Sequence, residues 1–283
     1  MPKVGIIGGS GLYQMDVLKG VKEVTIETPF GDPSDNFVIG NLEGVEVAFL
    51  ARHKRGHTIL PTELNYRANI YAMKKLGVEQ LVSISAVGSF KKELKPLDIV
   101  LPDQFVDRTN QSRKTTFFGQ GIVAHIGFAD PVCSELRKII YDAGRKLKIT
   151  IHDKGAYLNM EGPAFSTRAE SHLYKSWGMD IIGMTNMSEA RLAREAEMCF
   201  ATIAMVTDYD CWYEEDVNIE MVVGNLLKNV DTVKGLIKEM MPQLSKERKC
   251  SCKEALKYAI VTDKKLIPEN TKEKLDIIIG KYA

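Results

Sequence analysis

Two carboxylates stand two residues apart in Thr207-Asp208-Tyr209-Asp210-Cys211-Trp212, directly after the apolar run Ala201–Val206. Acidic side chains at the end of a buried strand need a reason, because burying a charge is costly unless it is paired. An apolar pocket raises a carboxyl pKa above its reference of about 3.9. Asp208 can then serve as a general acid, with Asp210 orienting or assisting it; the plainer alternative is a helix N-cap beside a surface Asp. A second group, Ala51-Arg52-His53-Lys54-Arg55-Gly56-His57, concentrates cations after the apolar run Val45–Leu50. Arg52 suits a bidentate grip on phosphate oxygens, and His53 or His57 can donate to an anion or a sugar. A solvated basic loop is the competing reading.

Four further segments carry chemistry of the same kind. Ile6-Ile7-Gly8-Gly9-Ser10-Gly11-Leu12 follows a strand, and its glycines let the backbone approach an anion while Ser10 adds a hydroxyl. The third glycine of a dinucleotide fingerprint is missing, so a phosphate loop fits better, although a tight strand–loop connection without ligand fits equally well. Ser83-Ile84-Ser85-Ala86-Val87-Gly88-Ser89 is another strand running into small residues, where open α/β sheets bind ligands. In Glu161–Glu170, a Gly-Pro turn sets Phe165 before a helix capped by Ser166 or Thr167, and an aromatic there can stack on a flat heterocycle. In Asp180–Ala190, Met184 can lie against a sugar face and Thr185 can donate to phosphate.

These residues must be carried by a scaffold, and the pattern supplies one. Strand-like runs at Val4–Ile7, Val45–Leu50, Gln80–Ser85, Asp98–Pro102, Ala156–Glu161, Asp180–Met184 and Phe200–Val206 alternate with helical patterns. The helices fall at Leu64–Lys75, Pro131–Leu147, Ser166–Trp177, Ser188–Glu197 and Val217–Met241, the last expected to stop at Pro242. Many strands are apolar throughout, as when both faces of a sheet are covered. The class is α/β. Residues 1–243 read as one domain and 244–283 as a charged C-terminal tail, helical or partly disordered.

The 283 residues are 45% hydrophobic and 27% charged, with 38 basic against 37 acidic residues. That balance gives no electrostatic case for nucleic acid or an anionic membrane as partner. With no secretory signal pattern and no apolar run long enough for a span, a cytoplasmic protein is expected. Cys133, Cys199 and Cys211 sit in core-like segments, while Cys250 and Cys252 fall in the polar tail, where they could form a local redox pair or a tail disulfide. No CxxC pair occurs and no His lies at zinc-finger spacing, so no metal is expected from the sequence.

Taken together, IIGGSGL, ETPFGDPSD, LARHKRGH, NYRANIYAMKKLG, SISAVGS, PDQFVDRT, EGPAFSTRAES, IIGMTNMSEA and IAMVTDYDCW run colinearly to about residue 240. In this the chain resembles the 5′-methylthioadenosine phosphorylases, trimeric members of the purine nucleoside phosphorylase family. The resemblance implies a single-domain phosphorylase/hydrolase-like fold with a central mixed, partly barrel-like β-sheet flanked by helices. It implies phosphate held by Ser10, Arg52, His53, Ser85, Ala86 and Thr185. Phe165, Ser166 and Met184 would line base and ribose, and Asp208, Tyr209 and Asp210 would face the purine. His57, Ile219, Val222 and Val223 would surround the 5′ substituent, with His125 closing that pocket from an adjacent subunit of a homotrimer or hexamer. Inorganic phosphate would be co-substrate, with no cofactor. Three departures stand beside the sugar pocket: Ala164 where an Arg is common, Gly183 where some members carry Asn, and Asn186-Met187-Ser188 in place of a Thr-Val-Pro-like run.

The reaction so implied is phosphorolysis of 5′-methylthioadenosine to adenine and 5-methylthioribose-1-phosphate; the alternative is a broader purine nucleoside or methylthioinosine phosphorylase. A protonated Asp208 offers a donor to N7 and an acceptor to a 6-amino group, whereas 6-oxopurine relatives use an Asn there. A nucleosidase using water is disfavoured by the phosphate residues, and a non-catalytic NAD-linked protein by the missing glycine.

Overall fold

In the computed structural model, which describes residues 1–9, 18–110, 112–214, 217–244 and 246–283, the apolar runs become the interior of one mixed sheet. Its strands are β1 (Val4–Gly8), β2 (Lys19–Val24), β3 (Phe37–Leu42), β4 (Val45–Ala51), β5 (Gln80–Ser89), β6 (Ile99–Val100), β7 (Gln104–Arg108), β8 (Ile151–His152), β9 (Ala156–Met160), β10 (Ile181–Gly183) and β11 (Cys199–Asp208). The helices are α1 (Tyr66–Lys75), α2 (Ser134–Lys146), α3 (Arg168–Ser176), α4 (Asn186–Glu195), α5 (Ile219–Leu244) and α6 (Glu269–Ile279).

The main path of the sheet runs β2-β3-β4-β1-β5-β10-β9-β7, and it branches at β5. Along its first half β5 pairs in parallel with β1, and out to Gly88 with β11; at Gly88–Ser89 it pairs antiparallel with β10. One long strand thus belongs to two arms, and the sheet curls. Both β5 and β11 are buried along nearly their whole length because helices cover the arms.

This topology positions the site by register. Gly8 pairs with Ala51 of β4 and with Ile84 of β5, and Ile84 with Ile203 of β11. Gly9, Arg52 and Ser85 therefore leave the same edge of the sheet one residue later. Asp208 pairs with Gly88 across a bulge between Val206 and Asp208, three residues further along β5 than Ser85. At about 3.3 Å per residue that is roughly 10 Å, and the bulge re-aims the strand end.

The fold departs from the sequence reading in two places. β2, β3, β7 and β8 are not among the strands the pattern marks: β2 is exposed and rich in Lys and Glu, and it pairs with β3. α5 does not stop at Pro242 but carries it within its last turn, to Leu244. Proline removes one backbone bond there, while Met240, Met241 and Leu244 are buried and the Leu244 carbonyl accepts from Gln80 Nε2 at 2.9 Å.

Residues 246–283, read as a charged tail that is helical or partly disordered, carry α6 and pack on the body. Leu256, Ala259, Ile267, Leu275, Ile278 and Ile279 join the core under α1. Tyr282 Oη and the Leu256 N–H both donate to Glu197, at 2.6 and 3.0 Å. The apolar positions are spread thinly among lysines, which is why the segment reads as a tail. No helix among the described residues is long and apolar enough to cross a membrane.

Candidate active site

At the edge where β1, β4, β5 and β11 end lies a cavity of about 460 Å³. It is lined by Arg52, His53, His57, Ser85, Ala86, Phe165, Met184, Thr185, Asp208, Asp210, Ile219, Val222 and Val223, all marked from the sequence, together with Gly9, Pro61, Met160, Gly183, Met205, Thr207 and Leu226. Ser10 lies outside the described residues. Ser166, Tyr209 and His125 do not line the cavity. The Ser166 hydroxyl lies 3.9 Å from Met160 Sδ, and it is Thr167 that caps α3, in a box with Glu170. Tyr209 turns away to donate to the Lys92 carbonyl and to pack against Tyr213. His125 is exposed, on a bridge between Ala124 and Ile260.

One end of the cavity is built on Arg52. This side chain is 1% exposed. Its fork closes on Glu189 of α4, with Nη2 at 3.1 Å, while the same nitrogen donates to Ser83 Oγ at 2.7 Å and Nη1 to the Ile84 carbonyl at 3.0 Å. Ser83 passes its own proton to Glu189 at 2.6 Å and accepts from Asn186 Nδ2. The bidentate grip foreseen for phosphate is thus spent on a protein carboxylate. Among the described residues the remaining Nη1 proton has no protein acceptor, and this nitrogen lies 3.3 Å from where a side chain on Gly9 would begin. The Gly9 backbone can therefore approach it closely.

Thr185 sits at the N-cap of α4, buried, and its hydroxyl is not used to cap the helix. The positive end of the α4 dipole and the Thr185 and Ser85 hydroxyls converge where an anion is favoured. Lys54 and Arg55 do not join them. Lys54 is exposed, and Arg55 pairs with Glu23 and Asp35 at the surface.

His53 donates from Nδ1 to the Ile59 carbonyl at 2.8 Å, the only sense a carbonyl allows. Burial, and then the Arg52 charge, hold its pKa down at about 4. The ring is neutral at pH 7, with Nε2 as an acceptor toward the cavity. Such a ring can accept from an O–H, and a nearby anion would raise its pKa and make it a donor. Lys54, Gly56 and His57 have positive φ, and this tight loop folds His57 onto His53 with ring centroids 4.6 Å apart.

The other end is acidic and poorly solvated. Asp208 is 5% exposed, and burial pushes its pKa up to about 6 against the two hydrogen bonds it accepts. Those come from Thr207 Oγ1 and the Asp210 N–H, both at 2.8 Å. Asp210, also raised by burial, accepts from Ser171 Oγ of α3. Gly88 makes room: a side chain there would begin 2.9 Å from Asp208 Oδ1. A carboxyl poised near neutrality and shielded from water is able to deliver a proton to a leaving heterocycle.

Between the ends, Met184 is fixed by residues the sequence did not mark. Arg113, buried, donates to the Met184 carbonyl and to the Glu161 carbonyl. Gly162 packs on the Met184 thioether so closely that a side chain would collide at 2.5 Å. Gly183 has a similar cause, since the Tyr157 hydroxyl occupies the space 1.9 Å from its missing side chain. At the mouth, the first turns of α5 present Ile219, 66% exposed, with Val222 and Val223. Asn225 and Asn229 tie α5 to the carbonyls of Thr207 and Val206.

Glu189, Ser83 and Asn186 are the functional residues that sequence reasoning missed. Asn186 and Glu189 share one helix face at a spacing of three, a face otherwise made of small and apolar residues. That was the available signal, but the partner, Arg52, lies 137 residues away.

An anion-receptive strand edge facing a buried acid, on a curled mixed sheet, defines an enzyme of the phosphorylase class. The chain belongs to the phosphorylase superfamily, whose model matches residues 3–242. Among its relatives, the S-methyl-5′-thioadenosine phosphorylase of Geobacter sulfurreducens is 56% identical over 282 residues, covering 99% of each chain. The crystal structure of a methylthioadenosine phosphorylase from an antarctic soil metagenomic library superposes with a TM-score of 0.93 at 49% identity, covering 98% of each chain. The methylthioadenosine phosphorylase of Schistosoma mansoni in complex with adenine gives a TM-score of 0.86 at 38% identity, covering 91% of this chain and 96% of that one.

Proposed function

We propose that the chain cleaves 5′-methylthioadenosine with inorganic phosphate, giving adenine and 5-methylthioribose-1-phosphate. One observation carries the reading: hydroxyls and a helix N-terminus that favour an anion lie in the same cavity as a desolvated acid, about 10 Å along β5. The names of the relatives above support the substrate.

In this reading the phosphate is held by Ser85, Thr185 and the backbone at Gly9 and Ala86, with Ser10 as a further donor and the remaining Arg52 proton completing the cradle. Held beneath the sugar, the anion attacks the anomeric carbon as the glycosidic bond breaks, and fixing its position removes much of the entropy cost. Negative charge develops on the departing purine. Asp208 donates to N7 and stabilises it, with Asp210 holding the Asp208 loop through its N–H. Phe165 stacks on the base, and Met184 covers the ribose. Ile219, Val222 and Val223 favour a methylthio group, because a hydroxyl placed among them would lose its hydrogen bonds.

The enzyme needs no cofactor beyond its phosphate co-substrate, and it works in the cytoplasm as a homotrimer or a pair of trimers. The exposed apolar rim at Ile219 and the position of His125 outside its own cavity support a mouth completed by an adjacent subunit. The test is a side-by-side assay with methylthioadenosine, adenosine and inosine, with and without phosphate. Release of adenine and methylthioribose-1-phosphate only when phosphate is present is the expected result; hydrolysis without phosphate, or preference for inosine, refutes it. Mass photometry of the protein and of His125→Ala tests the assembly and its share in the KM for methylthioadenosine.

A further inference from the structure

Far from the cavity, four of the five cysteines meet. Cys133 is the N-cap of α2, Cys199 opens β11, and Cys250 and Cys252 flank Ser251 just beyond α5. Their four sulfur atoms all lie within 4.8 Å of one another. Three of these cysteines are buried and Cys250 is half-buried. We propose that Cys133, Cys199, Cys250 and Cys252 form a tetrathiolate site for Zn²⁺ that fastens residues 246–283 to the body of the enzyme.

The geometry favours a shared ion over sulfur–sulfur bonding. Zinc–thiolate bonds of about 2.3 Å in a tetrahedron space the sulfurs about 3.8 Å apart. A disulfide brings one pair to about 2.05 Å and leaves the rest aside. Here the sulfurs of Cys199 and Cys250 are 3.2 Å apart, and no pair is bonded. Movements of an ångström or less turn the observed cluster into a tetrahedral shell. Four soft thiolates with no oxygen or nitrogen ligand select zinc among the common divalent ions.

The surroundings are those of thiolates. The Leu136 N–H, in the first turn of α2, donates to Cys133 Sγ at 3.5 Å, where the helix dipole also favours negative charge. Arg248 Nη1 lies 3.9 Å from Cys199 Sγ. The Lys249 N–H bonds Glu135 at 3.0 Å and holds the Cys250–Cys252 turn against α2. Zinc with four thiolates carries a net charge of minus two, and Arg248 with the α2 terminus offsets it. Binding converts four S–H groups to four Zn–S bonds and releases four protons to solvent. A groove lined by Cys133, Cys250, Cys252, Arg137 and Lys257 gives the ion its way in. The ion joins three chain segments that are far apart in sequence, so its binding energy adds directly to the stability of the folded chain.

The full-length protein, purified under argon without chelator or added metal, tests this by elemental analysis and thiol titration. One zinc per chain is expected, released in step with four thiols on titration with a mercurial, while Cys211→Ser keeps its zinc. Cobalt substituted into the zinc-free protein should give the charge-transfer and visible bands of a tetrahedral thiolate. Cys250→Ser should weaken zinc binding by more than the roughly 10–100-fold that an outer-shell change costs. If that variant fails to fold, the wild-type metal content and cobalt spectrum decide alone. The proposal is overturned by reduced protein that takes up no Zn²⁺ against a chromophoric chelator, by iron in place of zinc, or by disulfides among these cysteines in protein alkylated before lysis.

Discussion

At the Arg52 end of the cavity a buried cation is matched within the protein by Glu189, with Ser83 and Asn186 hydrogen-bonded to the pair. At the acidic end, two buried carboxyls, Asp208 and Asp210, have no cation among the hydrogen bonds they accept and are held by hydroxyls and an N–H. The first arrangement fixes geometry, since a compensated Arg holds its place whether or not an anion is present. The second keeps a proton available, since an acid deprived of both water and a counter-charge resists ionisation. A rigid cradle and a reactive acid need opposite electrostatic surroundings, and the branch at β5 lets one sheet supply both.

The contrast can be broken first at the cradle. Arg52→Ala or Glu189→Ala alone leaves an unpaired buried charge and should lower stability by about 3–5 kcal/mol. Arg52→Met with Glu189→Leu should recover most of that but not phosphorolysis. Urea titrations decide: single changes costing less than about 1 kcal/mol would show that the network is not matched as described.

Asp208→Asn should lower kcat/KM for methylthioadenosine by about 10²–10⁴-fold, with a relative gain for 6-oxopurine nucleosides. The same change should stabilise the fold. Because the folded pKa of about 6 lies above the ordinary aspartate value of about 3.9, the folded state holds its proton more tightly than the unfolded state. Stability therefore falls as pH rises from about 4 to about 6. Asparagine removes that fall, worth on the order of 2–3 kcal/mol at pH 7. Denaturation midpoints of both proteins at pH 4 and 7 measure it, and an unchanged difference between the two pH values would rule it out.

Thr185→Ala, which leaves no charge unpaired, should raise the KM for phosphate by roughly 10–100-fold, the loss of one hydrogen bond to a charged group, with little change in stability. At the mouth, Val222→Ser should narrow the preference for methylthioadenosine over adenosine by about tenfold. The smallest effect is a titration. In NMR spectra the His53 ring should titrate near 4 without anion and move upward when phosphate is added; a pKa that stays fixed would remove His53 from the anion site.

The carboxylates at 208 and 210, the cations at 52–57 and the small residues at 83–89 were legible because each stands at the end of an apolar run, and apolar runs mark buried strands whatever their partners. The order of the motifs was enough to name the family. Other features were invisible for reasons of distance. Glu189 reads as an ordinary helical acid until α4 is laid against β4 and β5, and Gly183 reads as a departure from the family until Tyr157 is found beneath it. Cys250 and Cys252 read as a tail pair, and only the packing of residues 246–283 brings them to Cys133 and Cys199. Short-range order, set by side-chain periodicity and turn chemistry, is written along the chain. Which buried charge meets which counter-charge, and which thiols share a centre, is settled only when strands far apart in sequence align in register, because those energies belong to pairs of residues that the chain itself does not place side by side.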